Sequence, residues 1–289
     1  MEQKKLRWVY LITLSIIWGS SFILIKKGLV GLTPTQLGAL RIVFTTIFLG
    51  SFGFKSIRNV KPKEWKWLAW SGFFGSFFPP FLFALAQTKI DSSIASILNS
   101  LTPLNTVILG VSFFGFIITR RQVFGVLIGL IGTVILISKG GEFSSNQNFW
   151  YSFLIIIASL GYALNINILK KHLEGLSALA ISVGHFVLIG LPAFIILIYT
   201  GFFNTIFESK EMQIAVLYVL ILSFFGTAIA KLLFNKMIKI SSPVFAASVT
   251  YTIPLTAVLW GILDGENISL TQLVGGVIIL LGVYLANRK

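Results

Sequence analysis

The sequence predicts an all-α integral membrane protein whose ten transmembrane helices form an inverted five-plus-five repeat. Three observations predict it. Of the 289 residues, 56% are hydrophobic and only 11% charged, and the mean hydropathy is +0.91. Soluble domains run nearer about 45–50% apolar with roughly a quarter charged, so lipid must serve as much of the solvent. Apolar runs of about twenty residues, the length that crosses a bilayer, recur from one end of the chain to the other. The second half of the chain also echoes the first.

The ten stretches are 8–27, 35–54, 67–87, 93–113, 122–138, 150–169, 179–199, 213–235, 244–263 and 272–286. The first follows Lys4, Lys5 and Arg7, as in a signal peptide, but it lacks a small-x-small cleavage pattern and nine similar runs follow. It reads as a span that stays in the membrane. The fifth and tenth are short and would cross with little tilt. Most connections are short, so sequence neighbours are expected to pack as antiparallel hairpins. The longest connection, 139–149, holds Gly140, Gly141, Ser144, Ser145 and Asn146. It is the natural joint between a first five-helix repeat, 1–140, and a second, 141–289.

Orientation follows from the basic residues. The amino terminus, every second loop and the carboxyl terminus together carry sixteen Lys and Arg, and the opposite side carries five. By the positive-inside rule both termini are cytoplasmic, which requires an even number of spans. Asp91, Glu142, Glu208, Glu211, Asp264 and Glu266 fall on the other side. The formal net charge of +14 is therefore no nucleic-acid signature. A nucleic-acid binder gathers its basic residues on a face interleaved with aromatics, whereas here they sit in loops between apolar runs. The partners expected are the lipid bilayer and a small-molecule substrate. Whether copies of the chain associate is left open.

The repeat is visible in particular residues. Gln122-Val-Phe-Gly125 lies over Gln272-Leu-Val-Gly275, Pro103-Leu104 over Pro254-Leu255, and Lys26-Lys27 over Lys170-Lys171. Five spans are an odd number, so the second copy enters the membrane from the opposite face. Transporters use that inverted architecture for alternating access.

Trp18-Gly-Ser-Ser-Phe22 with Lys26, Leu40-Arg41, Ser100-Leu-Thr-Pro103, Ile253-Pro254-Leu255 and Gly265-Glu266 together resemble the EamA-like family of the drug/metabolite transporter superfamily. The resemblance covers nearly the whole chain as two tandem units. It implies a ten-helix bundle around a central cavity and export of amino acids, related metabolites or drugs. One departure stands out: the Gly-Glu pair kept after the ninth span is Gly115-Phe116 after the fourth.

Polar groups inside lipid are either packing glue or part of a path. Arg41, about two turns into the second span, either recognises an anionic group such as a carboxylate or snorkels. Lys231, expected about a turn from the cytoplasmic end of its span, either reaches the interface or has a functional role. His185 could titrate near neutral pH or serve as an interhelical hydrogen-bonder. Asn99, Thr102 and Asn105 are spaced i, i+3 and i+6 along one face of the fourth span; Thr250, Tyr251 and Thr252 lie in its repeat mate, and Asn165 and Asn167 in the sixth. Pro103 and Pro254 each deny a backbone carbonyl its helical partner, which suits a gating break. Broken helices at the repeat interface are where such folds place substrate, so the fourth and ninth spans are candidate cavity walls. Trp18, mid-span rather than in the interfacial belt, is a further cavity candidate. Gly125, Gly129, Gly132, Gly275, Gly276 and Gly282 read as close helix packing.

Enzyme chemistry finds little support. His172 and His185 are the only histidines, and no phosphate-binding loop, Gly-x-Ser-x-Gly or His-x-x-x-His occurs. With no Cys there is no disulfide scaffold or thiolate metal site, and no cofactor is expected. The expected function is a secondary transporter, an exporter of small organic metabolites such as amino acids, in a cell inner (plasma) membrane. Drug or nucleotide-type substrates remain within that class. The alternative from a different class is a passive channel or membrane sensor subunit without an alternating-access cycle.

Overall fold

Apolar runs flanked by helix-capping residues become helices, and among the described residues every regular element is a helix. The computed structural model describes residues 2–90, 92–137, 149–207, 209–263 and 270–287. In chain order the helices are α1 (Glu2–Gly28), α2 (Pro34–Gly53), α3 (Pro62–Gly72), α4 (Phe78–Ala86), α5 (Ser92–Asn99), α6 (Thr102–Phe114) and α7 (Arg120–Ile137). The second half supplies α8 (Ser152–His172), α9 (Ala178–Tyr199), the single turn α10 (Phe202–Thr205), α11 (Lys210–Ser223), α12 (Ala230–Ile240), α13 (Pro243–Ala247), α14 (Val249–Leu263) and α15 (Leu270–Asn287).

Local chemistry sets several starts. Thr33 and Gln36 form a reciprocal capping box ahead of Pro34, and Ser177, Ser209 and Ser242 each accept a backbone N–H at the head of α9, α11 and α13. Gly115 ends α6 in the left-handed conformation, φ 67°, which glycine adopts without a Cβ clash.

Among the described residues, seven stretches are long and apolar enough to cross a membrane: Lys5–Gly28, Pro34–Ile57, Pro62–Ala86, Ala95–Phe114, Ser152–His172, Ala178–Tyr199 and Lys210–Ile240. A shorter apolar helix runs over Leu273–Ala286. The last residue of the expected fifth span, and the joint at 139–148, lie outside the described residues. Large apolar side chains face outward along these helices, such as Phe113, Ile131, Leu191 and Leu280, as a lipid-facing surface requires.

Four expected spans differ in internal shape. The fourth is two helices, because α5 stops at Asn99 and α6 restarts at Thr102. The ninth breaks likewise at Ser248, between α13 and α14. The eighth, expected over 213–235, is a 31-residue run over Lys210–Ile240, in which a π-helical segment, Phe224–Ile229, joins α11 to α12. A second π-helical segment, Phe73–Phe77, joins α3 to α4. The two fall on Phe73-Phe-Gly-Ser76 and Phe224-Phe-Gly-Thr227, the same motif 151 residues apart.

Packing partners repeat on exchange of the halves. The α7–α15 pair is in contact along its length, as is α2–α9. Where α1 packs on α14, α11 and α12, its counterpart α8 packs on α6, α3 and α4. Small residues allow the closest approaches: a Cβ on Gly282 would lie 2.6 Å from the Gly129 Cα, and one on Gly132 would lie 2.7 Å from the Ile279 nitrogen. Hydroxyls and amides join the other pairs. Ser15 and Thr252 share a hydroxyl–hydroxyl hydrogen bond between α1 and α14. Asn105 Nδ2 donates to Ser159 Oγ at 2.9 Å between α6 and α8.

Candidate functional site

The helix breaks and π-helical segments converge on one cavity of about 100 Å³. Its walls come from α1, α2, α4, α8, both π segments, α12 and the two broken helices. A π-helical turn leaves carbonyls out of the ordinary i→i+4 ladder, and such turns recur at functional sites. Here each offers its glycine carbonyl to a side chain from elsewhere. Trp18 Nε1 donates to the Gly226 oxygen at 3.0 Å, and Lys231 Nζ donates to the Gly75 oxygen at 2.5 Å.

Two cations line the cavity. Arg41 reaches it from α2, and its Nε–H donates to Thr227 Oγ1 at 2.8 Å. Lys231 stands about one turn beyond Thr227 on the same helical run, 9% exposed, with its ammonium 5.8 Å from the centre of the Tyr162 ring. The two terminal nitrogens of Arg41 donate to no group among the described residues, and one of the three Lys231 N–H groups is used. No carboxylate lines the cavity among the described residues. The only ion pair among them joins Lys170 to Glu174 near the end of α8, at 2.7 Å. Unpaired charge at membrane depth costs at least a few kcal/mol, so two such groups facing one cavity mark it as functional.

The remaining wall is aromatic and amide. Trp18 packs edge-on against Phe234, with ring centres 5.2 Å apart, and Phe83 lies between Phe22 and Tyr162 at 6.1 Å from each. Asn165 Oδ1 accepts from Ser71 Oγ at 2.7 Å. Ser76, 2% exposed, has a hydroxyl without a hydrogen-bond partner among the described residues.

Of the residues singled out from the sequence, Trp18, Arg41, Asn99, Thr102, Asn165 and Thr250 line this cavity. Asn105, His185, Tyr251, Pro103 and Pro254 do not. The i, i+3, i+6 reading carried Asn105 onto the wall only for a continuous helix; the break at Ser100–Leu101 resets the register and turns Asn105 toward Ser159. Tyr251 is fully buried over Gly129, and its hydroxyl donates to the Val126 oxygen at 2.7 Å. His185 is 1% exposed on α9 beside Gly72, both ring nitrogens without a hydrogen-bond partner among the described residues. Pro103 sits in the first turn of α6, where its nitrogen owes no helical bond. Lys231 is the main correction, being inside the cavity rather than at an interface. Tyr162, Thr227 and the two π-segment glycines were missed, although the repeated Phe-Phe-Gly-Ser/Thr motif was there to find. Among the described residues, no group of three His, Asp or Glu gathers to hold a metal.

The sequence profile of the EamA-like transporter family matches residues 6–138 and again residues 149–288. The chain belongs to the EamA-like transporter family. An uncharacterized transporter of Archaeoglobus fulgidus is 27% identical, over 95% of this chain and 94% of its own. The uncharacterized inner membrane transporter YedA of Escherichia coli K12 is 28% identical, over 96% of this chain and 92% of its own. A probable terminal-alkyne amino-acid exporter of Streptantibioticus cattleyicolor is 23% identical over 52% of this chain and 50% of its own. One crystal structure superposes with a TM-score of 0.71 at 18% identity, covering 96% of this chain and 95% of that protein, which shows a shared fold. As an EamA-like transporter the chain is a transmembrane protein, and the resemblance read from its residues is borne out.

Proposed function

We propose that this chain is a secondary transporter, not an enzyme, that exports small organic metabolites by alternating access. Its ten spans would form two inverted five-helix repeats, 1–140 and 141–289, in a cell membrane with both termini cytoplasmic. One observation carries the reading: a single cavity is walled by both halves, with Arg41 of the first held by Thr227 of the second at 2.8 Å. A site shared this way is exposed to alternate sides when one half rocks against the other. Support comes also from the exchange symmetry of the packing partners and from the double match of the family profile. The small-metabolite class rests on the family resemblance, and the partial likeness is to an exporter named for one such metabolite, a terminal-alkyne amino acid.

Purified protein in liposomes tests the proposal. Saturable counterflow of a labelled substrate is expected. Non-saturable conductance would make the chain a channel, and the absence of any flux would favour a sensor.

A further inference from the structure

Within that reading of the cavity as the substrate site, we infer that the substrate is a small organic oxyanion with no free ammonium group, its anionic head held between Arg41 and Lys231. The hydrogen-bonding inventory of the wall carries the inference. Three carbonyl and amide acceptors of the wall already have protein donors: the Gly75 oxygen takes Lys231, the Gly226 oxygen takes Trp18, and Asn165 Oδ1 takes Ser71. Its free groups are the donors of the two cations and the Ser76 hydroxyl, which can donate as well as accept. Arg41 has both terminal nitrogens unengaged and Lys231 has two N–H groups to spare. A ligand that only accepts, and that is negative, completes both.

The same inventory excludes an ammonium. An α-ammonium in a cavity of about 100 Å³ would sit beside the basic groups of Arg41 and Lys231 with no carboxylate among the described residues to offset them. The aromatic wall then receives an apolar body rather than a second charge.

Four probes of similar body separate the cases in thermal-shift titrations of the full chain in detergent. They are 3-phenylpropanoate, phenyl phosphate, phenylalanine and 2-phenylethylamine. Saturable stabilisation by 3-phenylpropanoate, phenyl phosphate or both is expected, the pair showing which oxyanion is preferred, with neither ammonium-bearing probe matching it. Arg41→Gln and Lys231→Gln should each weaken the anion about ten- to a hundredfold, and Lys231→Arg should keep most of the affinity. Phenylalanine binding as well as the better anion would overturn the inference, as would anion affinity unchanged in Lys231→Gln or no anion binding at millimolar concentration. Counterflow in liposomes is read separately. Anion binding without any flux would sink the transporter proposal and leave the inference standing, whereas phenylalanine flux without anion binding would do the reverse.

Discussion

Ser100 Oγ donates to the Thr250 carbonyl at 3.2 Å, its one proton shared with the Ser96 carbonyl at 3.0 Å, and Thr250 is four residues before Pro254, which has no N–H to offer it. The break in one half of the molecule thus supplies the hydrogen bond that a proline withholds in the other. Asn99 is treated similarly, since Thr102 Oγ1 donates to its carbonyl at 2.7 Å. The carbonyls expected to be free for substrate are therefore engaged by hydroxyls. This leaves the cavity's polar business to the cations.

Ser100→Ala should expose that debt. It is expected to destabilise the protein by about 1 kcal/mol, within the range of interhelical hydrogen bonds in membranes. Pro254→Ala restores an N–H to the Thr250 carbonyl, so the double variant should recover much of the loss. Pro103→Ala, in a first turn, should cost less than about 1 kcal/mol. Thermal unfolding in detergent reads all four proteins. A double variant as unstable as the sum of the singles would disconnect the two residues.

Much of the architecture was legible in the sequence, because a bilayer punishes any apolar run that is not a helix. The glycine stripes of α7 and α15 were read correctly as packing. Arg41 was legible because a guanidinium at depth needs a reason. Lys231 was not, because a span ending at 235 puts it about one turn from the interface, whereas the apolar helical run continues to Ile240 and leaves it deeper. Tyr251 failed for another reason: a tyrosine whose hydroxyl caps a carbonyl 125 residues away has the same local sequence context as one lining a cavity.

Crowding at the α7–α15 seam predicts a sharp contrast between glycines. Gly282→Leu must separate two touching backbones and should cost about 1–3 kcal/mol or more. Gly50→Leu, where a Cβ would meet nothing within 4 Å, should be close to neutral. Melting temperatures and size-exclusion profiles in detergent compare them. Equal tolerance at both positions would mean that the seam is not tight.

Orientation can be tested because the chain has no native Cys. Cysteines at Asn59 and Asn204, both exposed, should react with a membrane-impermeant maleimide from opposite sides, Asn59 from the cytoplasm. Labelling of both from one side would refute the proposed topology.

Coupling is the remaining question, and the placement of titratable groups bears on it. Proton-driven carriers relay protons through Asp, Glu or His at membrane depth. The described carboxylates Glu64, Glu174 and Glu211 lie at helix ends, away from the cavity. His185 is at depth but off the cavity wall, with α3 packed against its own helix at Gly72. Transport is therefore expected to be facilitative or an exchange, with any proton dependence confined to His185. His185→Gln keeps hydrogen-bonding capacity while removing titration near neutral pH. In liposomes, an imposed pH gradient should not drive accumulation beyond that of protein-free vesicles, a control that subtracts the passive crossing of weak acids. Should the unmodified protein show gradient-driven uptake, His185→Gln should abolish it. Uptake that persisted in that variant would refute the expectation and turn attention to Lys231 and Tyr162, titratable groups that line the cavity.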